Sequence, residues 1–220
     1  MLEENLSKVF EIIKNGNNYG EEITLIGATK TMSVEIINRA VALGLKVVAE
    51  NRVQEFRDKC ELISPAAKQH FIGHLQTNKV KYLVGKVELI HSVDSVHLAE
   101  EINRVAQNKN TVQDILIEIN VGGELSKSGF SLENAKDAVK QVSAYKNLKI
   151  KGLMAMLPRS DDSEFLSNLC KKMRELYDHL KTQGFEMKYL SMGMSNDYQI
   201  AIKNGSNAIR LGRTIFGDRV

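Results

Sequence analysis

The segment Ile23-Thr-Leu-Ile-Gly-Ala28, followed by Ser33-Val-Glu-Ile-Ile-Asn-Arg-Ala-Val-Ala-Leu-Gly44, contains the unit that decides the fold. The first stretch is a short apolar run, which is typical of a strand buried on both faces in a parallel sheet. The second stretch has helical periodicity, with Ser33 placed to cap the helix and Gly44 placed to end it. Its buried face is formed by Val34, Ile37 and Val41. Together the two stretches predict one strand–helix unit of an α/β protein.

The same alternation recurs along the whole chain. Eight apolar runs predict strands at Ile23–Ala28, Lys46–Ala49, Gln69–Ile72, Val87–His91, Asp114–Asn120, Ile150–Met156, Met187–Met192 and Ala208–Leu211. Further helices are predicted at Leu2–Lys14, Ser131–Tyr145, Ser163–Gln183 and Ser195–Asn204, and after Asp94 as the cap of a helix with Leu98, Ile102 and Val105 on one face. An open doubly wound sheet and a closed (β/α)8 TIM-type barrel both fit this order. The count of eight favours the barrel, as one domain over residues 1–220, with Leu2–Lys14 covering the gap left by a missing last helix.

Composition narrows the function classes. The chain has 220 residues, 43% of them hydrophobic and 26% charged, which is ordinary for a globular domain. Its net charge of +3 is too small and too evenly spread for a nucleic-acid footprint. No signal peptide or apolar stretch of about 20 residues is visible, and two isolated cysteines, Cys60 and Cys170, fit a reducing compartment. We therefore expect a cytoplasmic protein that binds neither nucleic acid nor membrane.

Lys30 follows the first predicted strand, and in a barrel the carboxyl ends of the strands carry the function. Partial desolvation at the barrel mouth would lower the pKa of this lysine and supply the neutral amine that a Schiff base with an aldehyde requires. The alternative is a strand-end lysine that extends into water. Position alone leaves both interpretations open.

The turns after the last two predicted strands, Gly193-Met-Ser195 and Gly212-Arg-Thr214, form a second candidate feature. Loops at these positions in barrels often bind phosphate through backbone N–H groups, and we expect Ser195 at a helix N-terminus. The simpler interpretation is that Ser195 only caps a helix and that the glycines only form turns.

Arg210 lies inside the last apolar run, where a buried guanidinium needs a partner. That partner is either a structural carboxylate such as Glu50 or a ligand nitrogen. The histidine pairs His70 and His74, and His91 and His97, lack metal-ligand spacing, so we expect no metal site. Met154 and the other strand-end methionines fit barrel filling, although a methionine can border a planar ring.

Five ordered motifs resemble those of the pyridoxal-phosphate homeostasis proteins. They are His70-Phe-Ile-Gly-His-Leu-Gln-Thr-Asn-Lys79, Asn120-Val-Gly-Gly-Glu-Leu-Ser-Lys-Ser-Gly129, Gly152-Leu-Met-Ala-Met156, Leu190-Ser-Met-Gly-Met-Ser195 and Arg210-Leu-Gly-Arg-Thr-Ile-Phe-Gly217. The resemblance runs from about Leu25 to Gly217. The family looks like the N-terminal barrel of bacterial alanine racemases without their second, β-rich domain.

This resemblance implies a cofactor site. It implies pyridoxal 5'-phosphate held covalently as a Schiff base on Lys30, with Asn51 near the ring hydroxyl, Met154 beside the ring and Arg210 against the pyridine nitrogen. It also implies phosphate binding by Ser195, Gly212, Arg213 and Thr214. The implied role is vitamin B6 and amino-acid homeostasis without established catalytic turnover, in a monomer that serves pyridoxal-phosphate-dependent apo-enzymes.

The chain departs from the family pattern at three places. Ala49-Glu-Asn-Arg52 stands where Gly-Glu-Asn-Tyr is usual, Thr29 replaces a serine before the lysine, and Arg213 precedes Thr214 where threonine directly follows the glycine. The last change leaves open which of Arg213 and Thr214 contacts the phosphate. Two enzymatic alternatives remain open as well: a low-efficiency amino-acid racemase or transaminase using the same imine, and, as the weaker one, a Schiff-base aldolase acting on a sugar phosphate.

Overall fold

The computed structural model describes residues 1–217 and shows a closed barrel of eight parallel strands. The barrel strands are β1 (Thr24–Ala28), β2 (Val47–Glu50), β3 (Lys68–Phe71), β4 (Leu89–Val93), β5 (Gln113–Asn120), β7 (Leu148–Ala155), β8 (Tyr189–Ser191) and β9 (Ala208–Leu211), and a two-residue strand, β6 (Phe130–Ser131), also pairs with β5. The barrel order is β4-β3-β2-β1-β9-β8-β7-β5, and pairing of β4 with β5 closes it. The prediction of a TIM-type barrel is confirmed.

Helices connect the strands on the outside. They are α1 (Leu2–Ile13), α2 (Val34–Ala42), α3 (Val53–Lys59), α4 (Val96–Asn108), α5 (Ala135–Ser143), α6 (Ser163–Thr182), α7 (Tyr198–Lys203) and α8 (Arg213–Phe216), together with a 3-10 helix over Thr77–Tyr82. In α2, Ser33 caps the helix by accepting from the Ile36 N–H, and Gly44 follows with φ +104°, both as predicted. None of the described helices is long and apolar enough to cross a membrane.

Apolar residues fill the barrel and the layer between strands and helices. The inner cluster draws members from seven strands: Ile26, Val47, Ala49, Leu89, Leu116, Met154, Tyr189 and Ala208. The predicted gap-covering helix is confirmed, because Leu6 and Val9 of α1 pack in one cluster with Ile209 and Ile215. The strands are near-continuous apolar runs because both of their faces are covered.

Two adjoining strands approach each other unusually closely at Gly152. This glycine of β7 pairs with Tyr189 of β8 and has φ +146°, and a Cβ there would lie 1.8 Å from the Tyr189 carbonyl oxygen. By contrast, the seam between β8 and β9 is short: Ser191 and Ala208 form the register pair, and side-chain and turn hydrogen bonds extend it.

Three helix starts differ from the sequence prediction. Asp94 does not cap α4; Ser95 does, by accepting from the Leu98 N–H, because Asp94 lies against His74 instead. The helix predicted from Ser195 begins at Tyr198, since residues 194–197 form a turn in which the Met194 carbonyl accepts from the Tyr198 N–H. The helix predicted from Ser131 begins at Ala135, because Ser131 belongs to β6.

Candidate functional site

Lys30 lies at the carboxyl end of β1, half-buried and two residues beyond the last strand residue. The residue before it is anchored: Thr29 is buried, and its hydroxyl donates to Glu50 Oε1 at 2.7 Å. The residue after it is anchored too, since Thr31 has φ +66° and its N–H donates to Glu55 Oε2 at 2.7 Å. The backbone that carries Lys30 is therefore fixed on both sides.

Lys59 of α3 joins these anchors into one network. Its Nζ donates to Glu50 Oε1 and Glu55 Oε2, both at 2.9 Å, and to the Thr29 carbonyl at 3.2 Å. Burial opposes the charge on Lys59, but the hydrogen bonds that it donates to both carboxylates prevail and raise its pKa. Glu50 is thus the partner of Lys59 and Thr29, and the alternative that it pairs with Arg210 is wrong.

Asn51 follows β2 at the end of the barrel where Lys30 follows β1, since β1 and β2 are parallel neighbours with Ala28 opposite Ala49. The Asn51 Oδ1 atom is buried and accepts no hydrogen bond from the described residues. The turn after β3 packs directly against the backbone of Asn51, since a Cβ on Gly73 would lie 1.9 Å from the Asn51 carbonyl oxygen. An acceptor held this firmly fits a ligand that presents a hydroxyl.

The turns after β8 and β9 meet across the barrel mouth. The Thr214 N–H lies 3.3 Å from Ser195 Oγ, and the Arg213 guanidinium donates to Asn196 Oδ1 at 2.9 Å. The backbone N–H groups of Ser195, Asn196 and Gly212 donate no hydrogen bond to any of the described residues. Although Ser195 lies in a turn rather than at a helix N-terminus, the paired turns offer several N–H donors of the kind that bind anions.

Arg210 lies on β9 in the barrel interior with 4% of its surface exposed. Its guanidinium donates to the Ser191 carbonyl at 2.8 Å, to Ser191 Oγ at 2.6 Å and to the Ala155 carbonyl at 3.0 Å. Burial lowers the pKa of Arg210 to about 10, an effect opposed by the carboxylates of Glu118 and Asp197. The predicted burial is confirmed, and carbonyl and hydroxyl oxygens serve as the partners.

A chain of buried hydrogen bonds leads from Arg210 to β3. Because an arginine only donates, Ser191 Oγ accepts from Arg210, and the same oxygen lies 3.1 Å from His91 Nδ1, within hydrogen-bonding distance. The other ring nitrogen of His91, Nε2, lies 3.1 Å from His70 Nδ1. The chain ends at His70 Nε2, which is buried and has no partner among the described residues.

The buried histidines predict acid sensitivity. Burial lowers the pKa of His70 from 6.5 to about 3, and it lowers the pKa of His91 well below 6.5. As the pH falls from about 6.5 toward about 3, the unfolded chain takes up protons that the folded chain cannot, so stability falls. We expect His70→Gln to lose less stability than the wild type between pH 7 and pH 4, by on the order of 3 kcal/mol, in urea unfolding across that range.

The matched control is His97→Gln, because His97 is exposed on α4 and should leave the pH dependence unchanged. Glu118 acts in the opposite direction: burial raises its pKa from 4.5 to about 7, so its contribution is lost as the pH rises through 7. This effect is present in all three proteins and cancels in the comparison. Equal pH slopes for wild type and His70→Gln would contradict the prediction.

The structure thus brings Lys30, Asn51, Ser195, Gly212 and Thr214 to one end of the barrel. Arg210 lies inside the barrel wall, and Met154 is buried in the inner cluster on β7. Sequence reasoning missed Ser191, His91 and Glu118 as site residues. Each is a polar residue inside an apolar strand, which is the same signal that singled out Arg210.

Comparisons with known proteins agree on one family. Residues 20–220 match the family model for the alanine racemase N-terminal domain. The pyridoxal phosphate homeostasis protein of Aquifex aeolicus is 44% identical over 98% of this chain and 94% of its own length. The protein of the same name from Escherichia coli K12 is 34% identical over 90% of this chain and 87% of its own.

Solved structures agree as well. PipY of Synechococcus elongatus, solved with pyridoxal phosphate bound, has a TM-score of 0.86 at 28% identity and covers 99% of this chain and 100% of its own. An alanine racemase of Clostridium difficile has a TM-score of 0.80 at 15% identity, and this chain covers 56% of its length. That last similarity concerns the fold alone.

Proposed function

Since the chain belongs to the family of pyridoxal phosphate homeostasis proteins, we propose that it binds pyridoxal 5'-phosphate as a Schiff base on Lys30 and acts without catalytic turnover. The single observation that carries this proposal is that three groups lie on neighbouring strands of the barrel and on the turns that follow them. They are the anchored Lys30 on β1, the N–H groups of the paired turns after β8 and β9, and the buried Arg210 on β9. In the barrel order β1, β9 and β8 are consecutive neighbours.

The residues present fit the cofactor. When bound, it supplies an aldehyde that reacts with an amine and a ring that withdraws electrons. Ser195, Gly212 and Thr214 would hold the phosphate through the paired turns, and the Arg213 side chain is already engaged by Asn196. The unpartnered Asn51 Oδ1 would accept from the ring hydroxyl, and the buried Met154 would border the ring.

The charge of Arg210 favours a protein that binds the cofactor over an efficient enzyme. Its guanidinium stays protonated even with its pKa lowered to about 10, so it cannot accept a proton from the pyridine nitrogen. A ring left unprotonated withdraws electrons weakly, and α-proton loss from a bound amino acid is then slow. We expect α-hydrogen exchange of alanine in heavy water no faster than with free cofactor. Exchange well above that background would favour the racemase or transaminase alternative.

Within the cell we propose that the protein is a cytoplasmic monomer that holds pyridoxal phosphate for pyridoxal-phosphate-dependent apo-enzymes. In this role it would serve vitamin B6 and amino-acid homeostasis. The name shared by the relatives supports the homeostasis role, and the bound cofactor of PipY supports the ligand.

Borohydride reduction tests the proposal directly. Protein incubated with pyridoxal phosphate and then reduced should gain the mass of one reduced cofactor, mapped to the peptide that contains Lys30. The reduction makes the imine permanent, so ligand, stoichiometry and attachment point are read together. An unchanged mass, or a label spread over several lysines, would contradict the proposal.

A further inference from the structure

A cavity of about 220 Å³ opens beside Asn51, between α3 and the 3-10 helix over Thr77–Tyr82. Its polar lining includes Arg52 and Arg57 from the α3 side and Lys79 and Tyr82 from the 3-10 helix. No Asp or Glu of residues 1–217 lines it. The cavity therefore combines positive charge with amide groups, the His74 imidazole and the Tyr82 ring.

The cations of this cavity form no close ion pair. Arg52, Arg57 and Lys79 lie within ion-pair distance of no carboxylate of residues 1–217. On the same helix, by contrast, Lys59 contacts both Glu50 and Glu55 at 2.9 Å. The Glu55 carboxylate interacts with Arg52 at longer range but does not line the cavity, and positive charges around such a concave surface favour an anionic ligand.

Arg57 is also held in place. Its guanidinium carbon lies 4.3 Å from the centroid of the Tyr82 ring, within the range of a cation–π contact. Stacking of this kind restricts the flat face of the guanidinium and leaves the N–H groups along its edge for an oxygen ligand. A planar, oriented guanidinium suits the paired oxygens of a carboxylate better than an ammonium does.

The position of the cavity indicates which class of anionic ligand it binds. Asn51 lines it and directly follows β2, and Lys30 follows β1, the parallel neighbour of β2, at the same end of the barrel. A molecule that exchanges with Lys30 at the cofactor must carry an amine, and one that also fills this cavity must carry an anion a few bonds away. α-Amino acids carry both groups.

We propose, building on the function proposed above, that this cavity binds the carboxylate of an α-amino acid whose amine exchanges with Lys30 at the bound cofactor. In the exchange a carbon–nitrogen bond to the incoming amine forms and the bond to Lys30 Nζ breaks. The proton lost by the incoming amine passes to Lys30 Nζ, so no oxidant, reductant or water is consumed. The cofactor carrier thereby responds to amino acids and discriminates them from simple amines.

Glycine and methylamine test this, because they differ by the carboxylate alone. Cofactor-loaded protein is titrated with each, and the half-saturating concentration is read from the absorbance change of the cofactor. Arg57→Gln and Arg52→Gln should each weaken glycine binding about tenfold relative to methylamine, the scale of one charged hydrogen bond. Arg57→Lys keeps the charge but lacks the planar edge. Its glycine binding relative to methylamine should be weaker than that of the wild type and stronger than that of the two glutamine variants.

Lys81→Gln is the matched control: it removes a positive charge near Tyr82, 5.2 Å from the ring centroid, outside the cavity lining. It should leave the ratio of glycine to methylamine unchanged. Absence of the cofactor absorbance before titration would overturn the proposed function, and this inference with it. A normal cofactor absorbance with equal ratios in wild type and both arginine variants would overturn this inference alone.

Discussion

Replacing Lys30 with alanine is expected to abolish covalent cofactor attachment. The wild type should show an absorbance band near the edge of the visible range after incubation with pyridoxal phosphate, and Lys30→Ala should not. The reason is chemical: no other amine is fixed by Thr29 and Thr31 on its two sides next to Asn51. Intact mass after borohydride reduction gives the same comparison without relying on colour.

Lys127→Ala is a suitable control for this experiment. Lys127 lies in the loop after β5, where its Nζ donates to the Leu157 carbonyl at 3.3 Å, so it is another half-buried lysine of the loop region. Its replacement should leave the band and the mass gain intact. If Lys30→Ala retained the wild-type cofactor content under reduction, the assignment of the Schiff base to Lys30 would fail.

The largest expected effect on stability comes from Gly152→Ala. The new Cβ would lie 1.8 Å from the Tyr189 carbonyl oxygen, which belongs to the backbone of β8 and cannot move without opening the barrel. The backbone at Gly152, with φ +146°, is also strained for any other residue. We expect a loss of about 4 kcal/mol in the free energy of unfolding, measured by urea denaturation.

Gly184→Ala separates the clash from the backbone strain. Gly184 has φ +88° as well, but a Cβ there would meet nothing within 4 Å. Its replacement should cost about 1 kcal/mol, which is the conformational contribution alone. Similar losses in the two variants would show that the contact with Tyr189 is not what makes Gly152 necessary.

The barrel could be predicted from sequence because burial on both faces makes each strand a short apolar run between helices of regular period. The capping of α4 by Ser95 and the start of α7 at Tyr198 could not be predicted, because each depends on a tertiary or turn contact. Asp94 lies against His74, and residues 194–197 close a turn. Neighbouring caps of similar propensity are decided by such contacts.

The candidate site was predictable where one residue type stands out in its strand, as Lys30 and Arg210 do. The hydrogen-bond partners of Arg210 could not be predicted. Two of its hydrogen-bond acceptors are the backbone carbonyls of Ser191 and Ala155, and a carbonyl has no sequence signature. The network around Lys59 was missed for another reason. The sequence around Lys59 is that of a solvent-exposed helix, and only the fold brings Lys59 to Thr29 and Glu50.

The short seam between β8 and β9 has a consequence for how ligand and fold depend on each other. Beyond its single register pair, this part of the wall is joined by backbone hydrogen bonds from Met192 to Ala208 and from Arg210 to Gly193, and by the side chains of Ser206 and Asn207, which reach the backbone of β8. An anion bound by the turns after both strands would connect β8 and β9, the barrel neighbours that share only one register pair. Occupancy and rigidity of that wall are then thermodynamically linked, so amide hydrogen exchange around residues 190–212 should slow as the site fills.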